Sequence, residues 1–281
     1  GLCAMTYDDL CAAVGRAGCV TASVVVTLAA AWRSRLYVRD RVRGEPSLSW
    51  RQAVRSLAVT WLVIYPGLPI LLLGAAAAPN RPGWAAAGVV LAAMLAMVAA
   101  AAGAGVALAR RVGLARDPGA RLEHIVARAS ARAGMTPRHV AVVPHVTANA
   151  AAFPPGGYLV VTERALQVLD DDALEAVCAH ELGHLGEPRR LVWARVAGPV
   201  TAALLVAIRP TFALGPLALL GLLLTILLLL WLVRRLSRRL EERADRVAVE
   251  HQRAPGAYAR ALSALYEANL VPAVLRSHHT V

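Results

Sequence analysis

The sequence predicts a mostly α-helical membrane protein carrying a small, water-soluble α+β domain, with about four to five transmembrane helices. Three observations lead there. The 281 residues are 58% hydrophobic, with a mean hydropathy of +0.53, which is more apolar surface than a soluble domain buries. The apolar residues gather in uncharged runs long enough to cross a bilayer core of about 30 Å as helices. Between the runs, charge and turn residues return, with short β-branched stretches.

Residues 56–78 and 84–109 are two such runs, joined by the turn "PNRPG", and form a helical hairpin across the bilayer, with Pro66 and Pro69 kinking its first arm. Arg33, Arg35, Arg39, Arg41, Arg43, Arg51 and Arg55 precede the hairpin, and Arg110, Arg111, Arg116 and Arg121 follow it. Only Arg81 lies in its turn, so both flanks are expected on the cytoplasmic side. Residues 17–32 are apolar but short, and read as a further crossing or a signal-like segment within a basic N-terminal region, 1–55.

A second apolar region, 191–233, divides at Arg209-Pro210 into a weaker arm, containing Arg195 and Pro199, and a strong uncharged one, 211–233. The soluble domain is then expected in two parts, 110–190 and 234–281. In the first part, Asp117-Pro118 opens a helix that Gly134 stops, "HVAVVP" (139–144) and "GYLVVT" (157–162) are short strands, and "DDALEAVCAHELGHL" is a helix with Asp172 and Glu175 spaced as a capping box.

The net charge of +12 comes from 30 basic residues, all of them Arg. They flank apolar runs and are not interleaved with aromatics as a reading face, so nucleic acid is not the expected partner. Cys3, Cys11, Cys19 and Cys178 form no disulfide framework and no Cys-x-x-Cys metal pair, and read as small buried hydrophobes.

Chemistry enters at "CAHELGHL" (178–185), where His180, Glu181 and His184 follow His-Glu-x-x-His. Positions i and i+4 share a helix face, so both imidazoles can reach one metal ion, with Glu181 beside them as a proton acceptor. A catalytic zinc needs a third protein ligand and one open position. The helix "RRLSRRLEERADRVAVE" offers Glu241, with Asp245 four residues on to hydrogen-bond a ligand histidine, although the arginines around both acids equally suit a solvated, salt-bridged helix. The second apolar region separates His184 from Glu241, so the chain must cross the membrane an even number of times between them. The two arms of 191–233, with arginines at both ends, meet that condition.

With these motifs in place, the chain resembles membrane-embedded zinc metalloproteases of the HtpX type, related to the CAAX prenyl proteases. The resemblance covers about residues 56–250, and "TANAAAFPPGGYLVVTERALQVLDDDALEAVCAHELGHL" (147–185) carries much of it. It implies a gluzincin-like protease domain and one catalytic zinc held by His180, His184 and Glu241. It further implies Glu181 as general base, Asp245 behind a ligand, and hydrolysis of peptide bonds in membrane or misfolded proteins, in the inner membrane of a bacterial cell. Substrate is expected to add along an edge strand at Gly157, Tyr158 and Leu159, near Asn149. Family members continue with a His-Pro element and a later Arg, so the chain reads as truncated after "SHHTV", and His278 and His279 as a tail. A BlaR-like sensor-transducer protease and a membrane scaffold with a structural metal are the competing expectations. The first would carry a large extracellular sensor, and the second would have no need of Glu181.

Overall fold

The computed structural model describes residues 48–271 and a few positions between 15 and 33. The expected crossing at 17–32, three of the cysteines and the "SHHTV" tail fall largely or wholly outside the described residues. Helices α1 (Trp50–Val59), α2 (Gly67–Ala77), α3 (Trp84–Ala101), α4 (Ala104–Arg111) and α5 (Ala120–Ala133) are followed by strands β1 (His139–Val143), β2 (Ala150–Phe153) and β3 (Tyr158–Thr162). Then come α6 (Glu163–Val168), α7 (Asp171–Leu185), α8 (Arg189–Ala203), α9 (Ile208–Phe212), α10 (Pro216–His251) and α11 (Ala257–Ala268).

The chain divides into two compact units. One contains residues 66–98 and 197–231. Among the described residues, three helical stretches are long and apolar enough to cross a membrane: Trp84–Ala101, Arg189–Phe212 and Pro216–His251. A fourth is possible if the broken pair Trp50–Ile64 and Gly67–Ala77 is one span. Within this unit Ala93, Met97, Ala203 and Val206 are buried together. A Cβ on Gly74 would come within 2.8 Å of Val206, so glycine permits that approach of side chain to backbone. Leu217, Leu220, Leu224, Leu227 and Leu228 are exposed, an outward apolar face suited to lipid.

The expected hairpin differs from the observed helices at both ends. Its first arm passes from α1 through a π-helical turn at Thr60–Ile64 and breaks at Tyr65-Pro66, because proline disfavours helical backbone in the residue before it. Its second arm ends at Ala101, where Gly103 takes φ +88° and α4 starts afresh. Val59, Val63, Val106 and Ala109 from these outer parts bury against Ala141, Val143 and Val160 of the sheet, so they belong to the second unit. Arg209-Pro210 lies inside α9. The turn comes later, at residues 213–215, with Gly215 at φ +98°.

Among the described residues, the second unit comprises 54–65, 99–196 and 232–271. Its three strands lie in the order β1-β3-β2, β1 parallel to β3 and β2 antiparallel to it. Leu122, Ile125 and Ala129 of α5, Leu174, Cys178 and Leu182 of α7, and Leu159 and Val161 of β3 form its core. The three α7 residues recur every fourth position and so make one stripe. Helix α5 begins at Ala120, two residues after Pro118, and ends as expected on Gly134 in the left-handed region. The residue capping α7 is Asp170, whose Oδ1 accepts from Ala173 N at 2.8 Å. The capping box expected at Asp172 and Glu175 does not form: Glu175 is buried and paired with Arg128 at 2.8 Å.

Candidate metal centre

Helix α7 is capped at its start and buried along most of its length, which fixes how its polar side chains project. His180 and His184, four residues apart, bring their Nε2 atoms within 3.1 Å of each other. Glu241 on α10 places Oε2 at 3.6 Å from His180 Nε2 and 3.5 Å from His184 Nε2. The two helices approach closely because α7 has no side chain at Gly183. A Cβ there would lie 3.1 Å from the Ala244 Cα.

These three residues form a possible metal site. Tetrahedral zinc with bonds of about 2.0–2.1 Å sets neighbouring ligand atoms about 3.3 Å apart, close to the three separations here. Two imidazole nitrogens and one carboxylate oxygen also make a donor set that zinc accepts.

The surrounding side chains orient these donors. Tyr258 of α11 donates its hydroxyl proton to Asp245 Oδ1 at 2.6 Å. His180 Nδ1 lies 3.1 Å from that same oxygen and 2.8 Å from the Tyr258 hydroxyl oxygen. The Nδ1 edge of the ring thus faces Asp245 and Tyr258, and the Nε2 edge faces Glu241 and His184. Burial works against a charged His180, but hydrogen bonds to Asp245 and Glu241 outweigh it and raise its pKa to about 9. On the other side, burial pushes the Glu187 carboxyl up, while its contacts with His184 and Arg195 more than offset this and bring it below its usual value.

Glu181 is buried, and among the described residues its carboxylate makes no hydrogen bond or ion pair. Glu187, Arg195 and Tyr258 are new to the site. Tyr258 carried no sequence signal. Glu187 sits three residues after His184, a helical neighbour, and Arg195 was visible only as a charge in an apolar arm.

Of the four residues expected to receive substrate, Tyr158 and Leu159 lie in β3, Gly157 directly precedes it and Asn149 directly precedes β2. Strand β3 is paired on both sides, so the edge expected over Gly157–Thr162 is its centre. The Gly157 carbonyl accepts from Arg138 N and His139 N. Tyr158 packs its ring 4.7 Å from that of His139, and Leu159 is fully buried. The Asn149 carbonyl accepts from Thr162 N at 2.9 Å. Strand β2, which covers that side of β3, escaped the sequence reading because it reads "AAAF", and alanine carries little strand preference.

Among the described residues the chain combines apolar helices long enough to cross a membrane, a three-stranded sheet, and a His/His/Glu cluster on two packed helices. Residues 116–279 match the model of peptidase family M48, and the chain belongs to that family. A stretch of 87 residues is 42% identical to a protease HtpX homolog of Trichormus variabilis, covering 29% of this chain and 30% of that relative. Both findings agree with the HtpX-type resemblance of the motifs. No solved structure matches.

Proposed function

We propose that this chain is a zinc-dependent endopeptidase held in the membrane, hydrolysing peptide bonds of membrane or misfolded proteins. The observation that carries the reading is the convergence of His180 Nε2, His184 Nε2 and Glu241 Oε2 at spacings that fit one zinc ion. His180, His184 and Glu241 would hold it, with Asp245 setting the His180 tautomer. Zinc held there would supply Lewis-acid chemistry, lowering the pKa of a water molecule and polarising a peptide carbonyl.

Glu181 is the proton carrier. Its neighbours leave its carboxylate oxygens uncommitted, so it takes a proton from the attacking water as the new C–O bond forms. It returns that proton to the departing amine nitrogen as the C–N bond breaks, and the water's second proton stays with the product carboxyl.

An extended substrate is expected on the outer edge of β2. Asn149 pairs with Thr162 across the ladder and Ala151 stands opposite Val160, so by the alternation of an antiparallel pair Ala150 and Ala152 turn their N–H and C=O groups outward. The outer side of β1 is partly taken by Arg116, which exchanges both backbone hydrogen bonds with Val142.

The arginine flanks favour a site on the cytoplasmic side of a bacterial inner membrane, with the 191–233 arms returning the chain to the side it left. The test is zinc content and casein cleavage of detergent-purified protein, wild type beside Glu181→Gln. The reading expects one zinc per chain in both and a loss of cleavage of at least a hundredfold in the variant. Cleavage by Glu181→Gln at the wild-type rate would sink it.

A further inference from the structure

Just past the motif helix, the chain turns through Pro188 into α8 and brings a second charged pair onto the ligand cluster. Glu187 has 1% of its side chain exposed, with Oε1 at 3.1 Å from His184 Nδ1. Arg195 donates from Nε to both Glu187 oxygens, at 3.0 and 2.9 Å, and from Nη2 to Oε1 at 2.8 Å. Its Nη1 and Nη2 each lie 3.4 Å from Glu241 Oε1. One guanidinium thus spans a residue beside one expected ligand and the carboxylate of another.

A carboxylate this far from water needs a partner, and Arg195 supplies one. Pairing alone does not explain why the same carboxylate also meets His184, on the ring nitrogen opposite the one that faces the cluster. Arg195 Nη2 approaches that nitrogen as well, at 2.6 Å. On a neutral ring, Nδ1 either accepts from the guanidinium or donates to the carboxylate. Only the second choice leaves Nε2 without a proton and able to hold a cation.

We propose that Glu187 is a positioning residue for His184, doing there what Asp245 and Tyr258 do for His180, and that Arg195 fixes the carboxylate for that task. This rests on the zinc reading. Each of the two histidines then has its own carboxylate behind it. The Glu187 partner lies outside both motifs, in the connection between α7 and α8.

The experiment is a zinc-affinity titration of the full chain in detergent against a chromophoric chelator, comparing wild type, Glu187→Ala and Glu187→Gln. Helical circular dichroism and thermal unfolding of the zinc-stripped proteins run alongside as a control for folding. Glu187→Ala is expected to lose 10- to 100-fold in zinc affinity. Glu187→Gln, whose amide oxygen still accepts from Nδ1–H, is expected to lose less and keeps the test decisive if the alanine variant does not fold. A graded loss with unchanged helicity supports the assignment. Affinities of both variants within twofold of a zinc-binding wild type overturn it and leave the metal centre standing. A wild type that takes up no zinc overturns the metal reading, and this inference with it.

Discussion

At the scale of single residues, the site is built by opposing demands on two imidazoles. To hold the proposed zinc, each histidine would keep one nitrogen bare, and its other nitrogen meets a carboxylate: Asp245 for His180 and Glu187 for His184. The two expected histidine ligands were legible in the sequence because the i, i+4 spacing fixes a shared helix face whatever the tertiary fold. Glu241 and Asp245 were legible through the same spacing on a second helix. Tyr258 was not, since a tyrosine 13 positions beyond Asp245 comes near only once α11 folds back across the end of α10. Tyr258→Phe keeps the buried ring and removes the hydroxyl between Asp245 and His180. It is expected to weaken zinc binding by about tenfold, at the low end of what removing such an orienting group costs, with no loss of helicity. Competition with a chelator measures it.

At the scale of elements, the geometry depends on how near α7 and α10 come. Gly183 makes the approach possible, with an added Cβ 3.1 Å from the Ala244 Cα and 3.3 Å from the Val247 Cβ. Gly183→Val would push the helices apart in a packed interior and carry Glu241 away from the histidines. We expect about 1–3 kcal/mol of lost stability together with a fall in zinc affinity, read by thermal unfolding with and without zinc. A variant that loses stability but binds zinc as wild type would show that helix approach does not set ligand spacing. Elements with strong patterning were legible, including α5, α7, β1 and β3. The kink read at Pro66 is a full break, and neither the alanine strand β2 nor the second start at Gly103 was legible. There, packing against the sheet overrode a run of residues that read locally as continuous membrane helix.

At the scale of the whole molecule, the chain separates apolar helices from a unit with its own core and sheet, and family M48 membership agrees with that division of labour. The sequence interleaves the two units, because the segments on either side of the second apolar region supply the two halves of the candidate site. Metal bound there would join distant parts of the chain, and zinc is expected to stabilise the folded protein with the logarithm of its concentration over its dissociation constant. The most direct test is zinc K-edge X-ray absorption with metal analysis on the detergent-purified chain, wild type beside Glu241→Ala. The expected result is one zinc per wild-type chain with two imidazoles in its first shell, and loss of most of that zinc in the variant. A wild type without zinc, or a variant that keeps it with the same ligand shell, would contradict the assignment of His180, His184 and Glu241 as the metal centre.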